Sequence, residues 1–239
     1  FFVKDSFMKK NIFIFVTISL IFTLLSCSPE LSIKMKNDNT SDFYLNLTNT
    51  ESFFANFSAF MDFNEEKFYD EKSLIESLTN LGFSKINLTT GKNADLSISA
   101  EILNNTLVNS ESPLSTLFSI TDKDFTLEIH PSKLIEILSS IPEITDYLDL
   151  LMAPIYTGEQ ISESEYLELF ASVYGESFAQ DFEKTNISIN INTLNKIKDI
   201  QSSENGFATT TFTDKKANIK IPFYKLLCKQ DVSVFKITY

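Results

Sequence analysis

Few residues in this chain could carry covalent chemistry. There are two cysteines, Cys27 and Cys228, and a single histidine, His130. That is too little material for a His/Cys zinc cluster or for the usual Cys–His nucleophile pair. His130 lies between a strand pattern and Pro131, where a strand-end residue needs no special role. No G-x-S-x-G elbow occurs, and with five glycines the chain has neither a P-loop nor a G-x-G-x-x-G turn. Carboxylates are plentiful, and two of them about 5 to 10 Å apart in a cleft could hydrolyse a glycoside. Sugar clefts usually present Trp, however, and the chain has none. Asp62, Glu65 and Glu66, or Asn37-Asp38-Asn39, offer oxygen ligands for calcium, but neither group follows the D-x-[DN]-x-[DN]-G spacing. Asn37 to Thr40 reads better as a turn. The expectation is a protein that is not an enzyme and uses no cofactor or metal.

Cys27 is the exception, because of what precedes it. Lys9 and Lys10 form a short positive region, and Ile12 to Leu25 form an apolar stretch of about 14 residues broken only by Thr17, Ser19 and Thr23. Such a stretch falls short of the roughly 20 residues that span a bilayer and has the layout of a secretory signal. Leu24-Leu25-Ser26-Cys27 closes it and resembles the lipobox of bacterial lipoproteins. That resemblance implies a diacylglyceryl thioether on Cys27, cleavage between Ser26 and Cys27, and acylation of the new amino group. Several acyl chains retain a protein firmly where one does so marginally. Residues 1–26 are therefore expected to be the signal, with 1–7 an over-extended gene start ahead of Met8. Residues 27–30 would be the lipidated Cys and a short tether, and 31–239 a single domain.

Composition narrows the partners. The whole chain carries −12; removing Lys4, Lys9, Lys10 and Asp5 with the signal leaves 17 Lys against 31 acids, or −14. Such a balance argues against nucleic acid, whose phosphates require clustered positive charge. There is no Arg, so bidentate carboxylate or phosphate clamps are unavailable. Hydrophobic content of 43% with 23 Phe indicates a folded domain. Once Cys27 carries lipid, Cys228 has no internal disulfide partner, and Leu226 and Leu227 beside it suggest a small buried hydrophobe.

The remaining elements follow from periodicity. Leu31, Ile33 and Met35, then Phe43, Leu45 and Leu47, alternate around a turn and predict a hairpin. Phe53, Phe54, Phe57, Phe60 and Met61 recur at helical spacing. Asp70 to Leu81 reads as a helix with Asp70 as N-cap and Gly82 at C′. Strands are expected around Ile86–Leu88, Leu96–Ile102 and Phe125–Ile129, with a polar loop over 104–115 and a helical turn over 113–119. Pro131 and Pro142 each open a helix. Ser162 and Glu165 form a capping box that starts one long helix whose stripe runs from Tyr166 through Phe170 and Phe178 to Phe182. Strands at Ile187–Ile191, Phe207–Thr213, Ala217–Ile221 and Val232–Tyr239 follow, with Asn195 to Gly206 as a polar connector.

The predicted fold class is α+β, a curved antiparallel sheet of about seven to nine strands with helices packed on one face. The chain resembles uncharacterised lipoproteins of AT-rich bacteria, especially spirochaetes, in Leu24 to Cys27, Leu150 to Glu159 and Glu165 to Gly175. More faintly, the order of hairpin, helix, Gly-Phe and strand after the lipid Cys is similar to mycobacterial LppM-like domains. The expected function is a non-enzymatic binding or structural/interaction module, lipid-anchored in the cell envelope, with an envelope protein or an apolar ligand as partner. In the apolar-ligand alternative, Phe53, Phe57, Phe170 and Phe178 line a groove; core packing accounts for the same residues. An envelope hydrolase is a third reading.

Overall fold

The computed structural model describes residues 29–48, 71–92, 95–108, 113–130, 161–229 and 231–239. The signal segment with Ser26 and Cys27, the Phe53 and Phe57 helix, the Asp70 cap, the helices expected after Pro131 and the Leu150 to Glu159 segment lie outside them.

Strand outweighs helix, and most pairing is antiparallel. β1 (Glu30–Met35) and β2 (Thr40–Leu47) form the expected hairpin, with Ile33 opposite Phe43. Asn39 takes the turn at φ 62°, a left-handed conformation that Asn tolerates better than most residues. β3 (Phe83–Thr90) and β4 (Leu96–Leu103) extend the sheet beyond β2. On the other side come β7 (Asn186–Asn192), β10 (Lys216–Pro222) and β9 (Thr209–Thr213), giving the order β3-β4-β2-β1-β7-β10-β9. The register aligns Ala100, Phe43, Ile33, Ile191, Ala217 and Phe212 in one row across six strands. Period-two alternation sends their neighbours Ser99, Tyr44, Ser32, Asn190, Asn218 and Thr211 to the opposite, polar face.

A second sheet has the order β5-β6-β11-β8: β5 (Phe118–Ile120), β6 (Asp124–Ile129), β11 (Ser233–Thr238) and β8 (Asp199–Ser202). Phe125, Phe235 and Ile237 from this sheet belong to the same buried cluster as Ile33, Ile191 and Ile219 of the first. Burying each such side chain is worth about 1.5–3 kcal/mol.

Four expectations change. The strands divide between two sheets instead of one. β1 and β7 pair in parallel, which requires the long excursion between residues 35 and 186. The polar connector 195–206 contains β8, a short edge strand whose pairing to β11 depends on a partner some 35 residues away. The loop expected over 104–115 holds a short helix, α2 (Asn104–Val108), whose Leu107 is completely buried, and a 3-10 turn at Pro113–Thr116.

α1 (Glu71–Asn80) ends as expected at Gly82, with φ +93°. The long helix is instead two: α3 (Glu163–Tyr174) and α4 (Glu176–Lys184), separated by Gly175 at φ 89°, ψ 152°. The capping box is present, with Glu165 N donating to Ser162 Oγ at 3.2 Å and Ser162 N donating to the Glu165 carboxylate at 2.9 Å. A last helix, α5 (Phe223–Cys228), occupies the crossover after β10.

Candidate binding cleft

Phe170 and Phe178, two of the residues expected to line an apolar groove, retain 2% and 8% of their accessible surface. Phe170 stacks on Phe182 at 4.1 Å, and Phe178 lies 5.6 Å from Phe170. A void wide enough for an acyl chain would leave accessible surface on the rings around it; here they contact one another. Phe53 and Phe57, like Cys27 and Ser26, lie outside the described residues. His130 sits 3.2 Å from Glu128 near the end of β6, within its own strand segment.

Among the described residues, every carboxyl group with a resolved shift is held below its ordinary range. Hydrogen bonds from Lys36 and Lys85 do this for Glu101, those from Thr40 for Asp38, those from Thr238 and Lys236 for Asp124, and those from Ser162 for Glu165. A general acid requires the opposite displacement. No group of three or more His, Cys, Asp or Glu able to hold a metal occurs among the described residues.

Two clefts lie at opposite ends of the larger sheet. β10 ends at Pro222, paired to Asn186 beside the start of β1, and α5 leads from there into a cleft of about 680 Å³ between Glu163, Glu204, Phe207, Lys225, Cys228 and Lys229. Its cations are engaged. Lys225 donates to the Gly206 carbonyl at 3.0 Å and lies 3.4 Å from Glu163, whereas Lys229 pairs with Glu204 and sits 5.3 Å above the Phe207 ring. Burial, with a smaller contribution from Glu163, pushes the Cys228 thiol up to about 12. A thiol is a nucleophile only as thiolate, and this shift keeps Cys228 a thiol at neutral pH; the residue is half-buried at the cleft wall, not fully buried as expected.

The other cleft, about 450 Å³, opens where β1 ends at Met35. Four connections converge there: the β1–β2 turn, the start of α2, the β5–β6 turn and the segment after β7. The turn is braced by Asp38, which accepts from Thr40 N at 3.2 Å and Thr40 Oγ1 at 2.6 Å. Asn104 N donates to the Asn39 carbonyl at 3.0 Å and Ser41 Oγ donates to Asn104 Oδ1 at 2.6 Å, tying α2 to the hairpin. Tyr239 closes the base, its hydroxyl donating to the Thr121 carbonyl at 2.8 Å and its amide to the Lys123 carbonyl at 2.8 Å. Burial raises that hydroxyl to about 12, so it stays neutral. Thr193 Oγ1 donates to the Asn195 carbonyl at 2.7 Å and fixes the last connection.

These braces use backbone groups and the side chains of Asp38, Thr40, Ser41, Asn104, Thr193 and Tyr239. The side chains of Asn37, Asn39, Asn105, Asn195 and Asp122 line the cleft without a hydrogen bond or ion pair among the described residues. Sequence reasoning missed this site. Asn37 and Asn39 read as turn formers, Asn105 and Asn195 as loop polarity, and no spacing links residues 37, 105, 122 and 195. The one available signal was the recurrence of Asn in separate connections.

No family model matches the chain, and neither the curated proteins nor the solved structures compared with it give a match.

Proposed function

We propose that this protein is a lipid-anchored bacterial envelope protein, a non-enzymatic binding module whose ligand site is the Asn-lined cleft. The observation that carries the reading is the position of Pro29: its carbonyl accepts from Ser188 N at 2.9 Å, and β1 begins at the next residue, between β2 and β7. If Cys27 carries lipid, only Ser28 and Pro29 separate the anchor from an interior strand. The tether is then too short to let the domain drift. The five residue steps of β1 hold the Asn-lined cleft about 17 Å farther from the anchor, facing away from the membrane. In the same reading the larger sheet curves about the common core, with α3 and α4 packed on its apolar face.

Cys27→Ala tests the anchor. Cells grown with labelled palmitate should label the native protein and not the variant, and only the native protein should partition into a detergent phase. Label or partitioning that persists in the variant overturns the anchor.

An apolar-ligand carrier is less well supported, because Phe170 and Phe178 have no free ring face to offer. A docking surface on α3 and α4 is weaker still, since Val173 is their one large hydrophobic residue counted as exposed.

A further inference from the structure

We propose that the Asn-lined cleft binds an uncharged saccharide, which deepens the reading of that cleft as the binding site.

The lining chemistry selects the ligand. An anion needs a free cation, and among the described residues of the lining the cation is Lys36, whose ammonium is held at 2.7 Å by Asp42 and also by Glu101. Asp122 adds a negative charge that opposes an anion further. A hard divalent cation takes six or more oxygens, usually with several carboxylates, and among the described residues of the lining Asp122 is the one carboxylate. The side chains of Asn37, Asn39, Asn105, Asp122 and Asn195 are exposed to water, and a hydrophobic ligand would displace that water without replacing its hydrogen bonds.

A hydroxyl group both donates and accepts. So does a carboxamide, with two N–H donors and an acceptor oxygen. Adjacent hydroxyls on one ring can therefore meet both ends of one Asn side chain, and Asp122 can accept from another. Asn37, Asn39, Asn105 and Asn195 bring four such groups from three connections to one space, each without an internal partner. A sugar also has an apolar C–H face, and Ile120 and Leu194, both partly exposed, supply aliphatic surface for it. At about 450 Å³ the cleft lies within the range of small-molecule sites, roughly 300–1,000 Å³. Among the described residues of the lining the one aromatic ring, Tyr239, is buried and its hydroxyl is engaged, so they offer no open stacking platform. Affinity should accordingly be in the millimolar range.

The test is saturation-transfer NMR on the full chain in phosphocholine micelles, free of sugar-headed detergent. The probes are glucose, galactose, mannose, N-acetylglucosamine and their disaccharides, with inorganic phosphate and a blocked neutral tripeptide alongside. At least one neutral sugar should receive saturation. Asn37→Ala combined with Asn195→Ala should weaken it at least tenfold, and Asp122→Asn should weaken it separately in case the double variant does not fold. Asn46→Ala, on the outer sheet face, should leave it unchanged. Binding of the tripeptide or phosphate without any sugar would keep the cleft as a binding site and overturn the saccharide assignment. No binding by any probe, or sugar binding unaffected by folded cleft variants, would overturn both.

Discussion

The rings of Phe170 and Phe182 stack 4.1 Å apart with their planes within 10° of parallel. Twelve residues separate them, which on a straight helix is a rise of about 18 Å. Their contact therefore requires the chain to fold back between α3 and α4, and Gly175 is where it does so. The same fold-back brings Tyr166 within 6.2 Å of Phe182 and sets Phe182 edge-on to Phe223 of α5. An aromatic stripe that looks like the face of one helix is two short helices closing on each other.

Gly175→Ala tests this directly. The φ 89°, ψ 152° conformation is essentially restricted to glycine, yet a Cβ there would meet nothing within 4 Å. The cost should be purely conformational, about 1–3 kcal/mol, read as a lowered urea midpoint with an unchanged slope. An unchanged midpoint would mean that the fold-back does not depend on this backbone state.

Acid should weaken the fold through Glu101. Its carboxylate lies opposite Asp42 on neighbouring strands, two like charges bridged by Lys36, with Lys85 donating to Glu101 at 2.8 Å. Lys36 and Lys85 hold Glu101 below its ordinary value of 4.5. A carboxyl depressed in the folded state contributes stability that is complete above its unfolded value and fades as pH falls through the folded one. Thermal midpoints should thus be flat near neutral pH and drop below about pH 4.5. Glu101→Gln should lower the neutral midpoint and flatten part of the acid limb, leaving the share due to Asp38, Asp124 and Glu165. A variant whose acid limb matches the native one would remove Glu101 from this account.

Cys228 should resist thiol reagents. With its folded value near 12 against an ordinary 9.0, the thiolate fraction at pH 8 falls at least about a hundredfold relative to an unfolded thiol. A disulfide reagent should label the native chain slowly and the urea-unfolded chain at once. Equal rates would show the thiol to be open.

Much of the architecture is legible in order along the chain. The hairpin at Leu31 to Leu47, the Gly82 helix stop, the capping box at Ser162 and Glu165, and the strands at Ile187, Ala217 and Val232 all follow from alternation, helical spacing or cap chemistry within a few residues. Short-range physics suffices for each, because the groups that decide it are neighbours in sequence. β8 escapes because Asp199-Ile200-Gln201-Ser202 has little apolar content, and its stability comes from β11. α2 escapes because Asn104 and Asn105 look like loop residues, whereas Leu107 behind them is drawn into the core.

By itself the sequence determined the acidic balance, the absence of Arg and Trp, the poverty of nucleophiles and the lipobox-like stretch ending at Cys27, since composition and local spacing are complete in one dimension. Tertiary structure decided the parallel pairing of β1 with β7, the division into two sheets, the fold-back at Gly175 and the meeting of Asn37, Asn39, Asn105 and Asn195 in one cleft. Each of these joins residues far apart in the chain, and only the burial of a shared core makes such contacts worth the entropy of closing the loops between them.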